Sequence, residues 1–200
     1  TEIVSPGINI ESNNFSNTLM SIYLEEISCG LKKVLYAGLS TIDITTGENN
    51  IYEIHSDKED DTYVFDELFR CIQSYNPSEI IINTENCFLG EKNIIKYLEI
   101  ETRNYHFNNY KDSKYLLENK YKIEFLEKIF KKKSMLNIID YLDVNRSFWG
   151  LSSYIFLLQF SYEHNEAILN KLIKPKIWEG SKYLILSYDS INQLNIIPNK

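Results

Sequence analysis

Positive charge is scarce in this 200-residue chain: 21 Lys and Arg stand against 28 Asp and Glu, for a formal charge of -7 and a pI near 5.1. A domain that grips DNA through its phosphates carries a basic surface, so direct, strong nucleic-acid binding by these residues is not expected. Cysteine is scarce too. Cys29, Cys71 and Cys87 are too few and too scattered for a disulfide framework or a zinc site, which fits a reducing, intracellular compartment. No apolar run is long enough for a membrane: the longest, Phe148 to Phe160, is broken by Ser152, Ser153 and Gln159 and reads as a buried helix. No signal peptide is visible, and the chain starts at Thr1 in mid-phrase, as an excised segment would. The sequons Asn14-Phe15-Ser16 and Asn145-Arg146-Ser147 are short patterns with nothing else to suggest secretion. There is no Gly-rich phosphate loop ending in Lys-Ser/Thr, no Gly-x-Ser-x-Gly elbow and no paired Cys/His nucleophile. His55, His106 and His164 are isolated along the chain, which favours surface or packing roles.

What is present is core material. Hydrophobic residues make up 44% of the chain and aromatics 14%, with 15 Tyr and 10 Phe, enough for a packed domain. The excess of Lys over Arg, with much Asn, Ile and Tyr, fits an AT-rich genome and carries no chemistry.

Ser5-Pro6-Gly7 and the polar stretch behind it read as a tail from a preceding domain. Leu19–Ile27, Val34–Thr45 and Ile51–His55 follow as strands, the last two joined by a hairpin loop at 46–50. A helix is expected to start at Asp60 or Asp61 and to run through Val64, Leu68, Ile72 and Tyr75. Asn76-Pro77 closes it, since a residue before proline avoids helical angles. Glu79–Asn83 is then a compact apolar strand. Ile94–Leu98 reads as a helix and Tyr105–Tyr110 as an edge strand. Helices are expected over Tyr115–Lys131, Met135–Leu142 and Phe148–Leu172, with Pro175 ending the last, and a short strand over Tyr183–Leu186.

That order has a topological consequence. Three antiparallel strands, a crossover helix and a fourth strand parallel to the first open a ribonuclease-H-like mixed α/β sheet, here followed by helices. Nucleases with this fold hold two metal ions with carboxylates from the first strand, first helix and fourth strand. The matching regions offer Glu25, Glu26, Asp66, Glu67 and Glu85, but no Asp lies in the middle of the first strand. Asp43 sits beside a turn that its side chain can anchor. Lys131-Lys132-Lys133 ends a helix, where cations offset exposed carbonyls; the alternative reading is a phosphate-contacting patch. The aromatics Phe148, Trp149, Tyr154, Phe156 and Phe160 read as a helix face packed against a following domain, not as a base-stacking platform.

Several phrases, in order, resemble the MutS family of mismatch-recognition ATPases. They are Ile3-Val4-Ser5-Pro6-Gly7; the strand Asn14 to Leu24; Ala37-Gly38-Leu39-Ser40-Thr41-Ile42-Asp43-Ile44-Thr45-Thr46-Gly47-Glu48; Asp66-Glu67-Leu68 through Asn76-Pro77-Ser78-Glu79-Ile80-Ile81; and Lys182-Tyr183-Leu184-Ile185-Leu186 through Gln193-Leu194-Asn195-Ile196. Ser74-Tyr75-Asn76-Pro77 and Tyr162-Glu163-His164-Asn165 look most like the branch found in large DNA viruses. The resemblance implies a tail at 1–17, a ribonuclease-H-like connector domain at 18–173, and the start of a helical core domain at 174–200. It further implies a dimeric parent that recognises mismatched DNA at its N-terminal side and uses ATP and Mg²⁺ at its C-terminal side, working where DNA is replicated, with a MutL-type docking surface on the connector. The Phe wedge and the ATP-binding motifs are absent from these residues, so no catalytic, cofactor-binding or metal residue carries over. The alternatives are a metal-dependent ribonuclease-H-like nuclease and a stand-alone interaction module.

Overall fold

The computed structural model describes residues 16–30, 32–56, 62–109, 114–131, 137–178 and 193–194. Strand β1 (Ser16–Cys29) is central. It pairs antiparallel with β2 (Lys32–Asp43), from Thr18 opposite Asp43 to Cys29 opposite Lys32. β2 pairs antiparallel with β3 (Asn49–His55). Helix α1 (Tyr63–Tyr75) carries the chain back across the sheet, so β4 (Pro77–Glu85) lies parallel to β1. Helix α2 (Glu91–Tyr97) repeats the move and places β5 (Asn104–Asn109) parallel to β4 at the edge. The spatial order is β5-β4-β1-β2-β3, with a two-residue strand β6 (Lys176–Ile177) added parallel to β3. This is the ribonuclease-H-like arrangement expected from the sequence.

Alternation along the strands sorts residues into two cores. Met20, Ile22, Leu24, Leu39, Ile80 and Ile82 pack under α1 and α2, against Val64, Leu68, Ile72, Ile94 and Leu98. Leu19, Tyr23, Ile42, Ile51 and Ile81 pack on the opposite face under helix α5 (Phe148–His164). Outside α5 lie a 3-10 turn (Lys114–Leu117) and helices α3 (Asn119–Phe130) and α4 (Ile138–Tyr141), which give Leu116, Phe125, Leu126 and Ile138 to the same core. Ten of the 17 residues of α5 are buried, because the sheet covers one side and these segments the other.

Differences from the sequence reading have local causes. α1 begins at Tyr63, with Thr62 as N-cap, not at Asp60 or Asp61, which lie outside the described residues. It ends as expected: Asn76 turns left-handed (φ 44), its amide bonding the Ile72 carbonyl, ahead of Pro77. The helix expected over 115–131 is split, since Glu118 is extended (ψ 134) between the 3-10 turn and α3. The helix expected over 148–172 stops at His164. There Asn165 turns extended and its side chain accepts the Ala167 amide at 3.1 Å, starting a separate helix α6 (Glu166–Leu169). α4 likewise starts on the Asn137 side chain, which accepts from Ile139. Met135, Lys132, Lys133, residues 1–15 of the tail expected at 1–17, the strand at 183–186 and most of the 192–196 phrase lie outside the described residues, while Ser16 and Asn17, the end of that tail, open β1.

Candidate functional site

The place to look for chemistry in this fold is the α5-facing side of the sheet, near the carboxyl ends of β1 and β4. Register sets out its rows. Glu85, Glu25, Tyr36 and His55 lie side by side on β4, β1, β2 and β3, and the next row is Asn83, Tyr23, Gly38 and Glu53. Behind these come Ser21 opposite Ser40, then Leu19 opposite Ile42. The middle of β1 therefore presents Ser21 and Tyr23, both buried and neither acidic.

Glu25 and Glu85 do come together, and aromatic donors hold both. The Tyr23 hydroxyl donates to Glu85 Oε2 at 2.7 Å, and Trp149 Nε1 donates to Glu25 Oε2 at 2.8 Å. Burial pushes the Glu25 carboxyl above its ordinary range; the Trp149 bond opposes this, and the Glu85 charge adds to it. The Trp149 indole is sandwiched on Tyr36, ring centres 4.0 Å apart and planes within 10°. Glu53 caps the start of α5 from the sheet below: its Oε2 accepts the Trp149 amide at 2.9 Å and the Gly150 amide at 3.2 Å. Burial raises the Glu53 carboxyl too, with those two amides opposing.

The other sequence-derived carboxylates lie elsewhere. Glu26 points to the α1 side, where Lys33 and the Phe88 amide bind it. Glu67, on α1, pairs with Arg70, and Asp66 accepts from the Tyr97 hydroxyl. The sheet thus separates Glu25 and Glu85 from Glu26, Asp66 and Glu67. Among the described residues no group of three His, Cys, Asp or Glu could hold a metal ion. Asp43 does what its position suggests, its Oδ1 accepting from the Thr45 and Thr46 amides at 2.7 and 3.0 Å.

The histidines are less isolated than their spacing implies. His106 bonds Glu79 at 2.6 Å and packs on Phe160, and His164 stacks on the same ring. His55 stacks on Tyr36. Four of the five α5 aromatics pack against this chain's own sheet: Trp149 on Tyr36, Phe156 on Tyr23, Phe160 on His106, and the Tyr154 hydroxyl bonded to Asn49 Oδ1 at 2.9 Å, while Phe148 is 52% exposed. Lys131 closes α3 in a left-handed turn and reaches Asn170 at 3.1 Å.

Sequence reasoning missed Gly38, Glu53 and Trp149 as a unit. A Cβ on Gly38 would lie 1.8 Å from the Trp149 carbonyl oxygen, so the first turn of α5 touches bare backbone there. A lone glycine inside a strand is the signal that could have pointed to this close approach. Ser153 completes the seat, donating to the Ser21 carbonyl at 2.8 Å and lying 3.0 Å from the Ser40 hydroxyl.

Strand order and register define a ribonuclease-H-like α/β domain whose seat for the long helix is built from Gly38, Ser40 and Ser21. No family model matches the chain. It is 32% identical over 98% of its length to a DNA mismatch repair MutS homolog of Acanthamoeba polyphaga mimivirus, and 24% identical over 97% to the DNA mismatch repair protein MutS of Lachnoclostridium phytofermentans. The chain belongs to the MutS family, on the branch that the mimivirus homolog represents. It spans about a fifth of the length of these relatives (20% and 19%). Among solved structures, RuvC of Thermus thermophilus bound to a Holliday junction aligns over 74% of the chain (97% of its own) at 8% identity and TM-score 0.39. The fowlpox virus resolvase in complex with Holliday junction DNA aligns over 73% (97% of its own) at 17% identity and TM-score 0.38. Among the described residues no helix is long and apolar enough to cross a membrane.

Proposed function

We propose that this chain is the connector of a MutS-type mismatch-repair protein: a non-catalytic body that passes conformational change between a mismatch-reading domain and an ATPase, and that offers a docking surface to a MutL-type partner. The observation that carries this reading is the clamping of α5. Glu53 at its start, Gly38 beneath it, the Ser21–Ser40–Ser153 contacts and the Tyr154–Asn49 bond tie the helix to the three strands β1, β2 and β3, so that helix and sheet move as one body. Residues 1–17 are the incoming tail, 18–173 the connector and 174–200 the start of the helical core. The edge pairing of Lys176 and Ile177 carries connector contacts a few residues past 174. Mismatched DNA, ATP with Mg²⁺, and dimerisation belong to the whole protein, and the chain by itself binds DNA weakly at most.

One observation favours a second reading, a metal-dependent nuclease: Glu25 and Glu85 are neighbours at the strand ends where such enzymes place ligands. Incubation of the chain with DNA and RNA in Mg²⁺ or Mn²⁺ separates the two. We expect no cleavage above a metal-free control; cleavage abolished by Glu25→Gln or Glu85→Gln would establish the nuclease instead. The connector role is checked by placing Trp149→Phe in the full-length protein. Mismatch-stimulated nucleotide exchange should fall while mismatch affinity holds, and unchanged coupling would refute transmission through α5. Titration of the chain with a MutL-type protein tests docking.

A further inference from the structure

Glu25 and Glu85 stand side by side on the parallel strands β1 and β4, both half-buried, and no cation among the described residues pairs with either. Their neighbours differ: Glu26 has Lys33, Glu67 has Arg70 and Glu79 has His106. Glu25 and Glu85 hold only neutral donors, the Trp149 indole and the Tyr23 hydroxyl. Burial raises the Glu25 carboxyl, the Trp149 bond opposes this, and the Glu85 charge adds to it, so the pair lacks a counter-ion.

A second observation lies on the same face of the sheet. Asn83, on β4 two residues before Glu85 and opposite Tyr23, is 1% exposed, and neither its Nδ2 nor its Oδ1 has a hydrogen-bond partner. Among the described residues the other buried side-chain atom without a partner is Ser21 Oγ, one row further back on β1. Strand side chains lean along the strand direction, and Tyr23 shows that lean here by reaching forward to Glu85 with its hydroxyl. The Asn83 amide is thus aimed at the floor beneath the two carboxylates. A buried amide with both ends unmet is unfavourable until something supplies the missing bonds. Beside this floor stands Trp149, flat on Tyr36, with Phe148 edge-on to it and 52% exposed.

We propose that Glu25 and Glu85, with the Asn83 amide beneath them and Trp149 beside them, receive an arginine side chain of a protein partner. This rests on the docking surface proposed above and names its place and the chemistry it takes. Two carboxylates on adjacent strands suit a guanidinium, whose planar fork donates to both at once, and Asn83 Oδ1 adds an acceptor below. A guanidinium is also weakly hydrated and packs on aromatic rings, where a lysine ammonium is a compact, strongly hydrated charge.

N-acetyl-arginine amide titrated into the ¹⁵N-labelled chain, at ionic strength held constant with sodium chloride, tests this. The chain has two indoles, so the Trp149 Nε1–H signal reports the site and that of Trp178 is the control. A saturable shift is expected at Trp149 alone, with N-acetyl-lysine amide at least about fivefold weaker. Glu85→Gln, which keeps an acceptor for Tyr23 and leaves the Trp149–Glu25 bond in place, should weaken arginine at least about tenfold. Asn83→Leu should weaken it about threefold while leaving the urea midpoint unchanged or raised, which a merely structural asparagine would not do, and it serves independently if the Glu85 variant does not fold. No saturable shift at Trp149, an equal response to the lysine analogue or in Glu85→Gln, or displacement of arginine by Mg²⁺, which would mark a metal site, would overturn the inference. The response is read on the chain alone, so it stands or falls separately from whether a MutL-type protein docks.

Discussion

Gly38→Ala tests the seat of α5 directly. The new methyl would meet the Trp149 carbonyl oxygen at 1.8 Å, its carbon at 2.1 Å and the Gly150 nitrogen at 2.7 Å, all backbone atoms that no rotamer change can move. To restore ordinary contact the start of α5 must lift by roughly 1.5 Å. That lift stretches the Glu53 cap, the Trp149–Glu25 bond and the Ser153–Ser21 bond past hydrogen-bonding range. Each buried bond lost costs about 1 kcal/mol and the overpacking itself about 1–3, so a loss of roughly 4–6 kcal/mol is expected, a large part of the 5–15 typical of a domain. Urea unfolding followed by tryptophan fluorescence measures it. Gly30→Ala is the control: its φ of 69 strains an alanine, but nothing lies within 4 Å of the added Cβ, so about 1 kcal/mol is expected there. Equal midpoints for the two variants would refute the account of how the helix is held.

Glu25 and Glu53 carry pKa values raised by burial, so the native state disfavours their charged forms. Their contribution to stability is complete below the ordinary carboxylate value of 4.5 and is lost as pH rises through the raised values. Glu25→Gln should therefore flatten the fall in stability between about pH 4.5 and neutrality in urea titrations at several pH values, and an unchanged slope would contradict the assignment. Asn49 is buried and bonds the Tyr154 hydroxyl, the Gly47 carbonyl and the Ile173 carbonyl. Asn49→Ala should cost about 3 kcal/mol by stranding these groups, with Asn49→Asp recovering only the Tyr154 bond; a loss under about 1 kcal/mol in chemical denaturation would rule out that role.

Much was legible in the sequence because it is local. The two-residue alternation of β1 and β2, the helical spacing of Val64, Leu68 and Ile72, and the Asn76-Pro77 stop each act within a few residues of themselves, and one crossover helix was enough to make β4 parallel to β1. Helix breaks were less legible, since Asn165 and Asn137 end or start helices through side-chain bonds that compete only weakly with an apolar pattern running on through them.

The sequence by itself determined five of the six strands, the place of β4 beside β1 and the absence of an acidic residue in the middle of β1, since strand period and crossover length leave few other foldings, while the pairing of Lys176–Ile177 with β3 appears only in the structure. Only the tertiary structure decided which carboxylates meet. Glu25 and Glu26 are adjacent in the chain yet face opposite sides of the sheet, and Glu53 reaches Trp149 across 96 residues. Such contacts depend on how a helix lies over the sheet, and the packing of small residues at Gly38, Ser40 and Ser21 fixes that; the lone strand glycine hints at a close approach but not at which helix makes it.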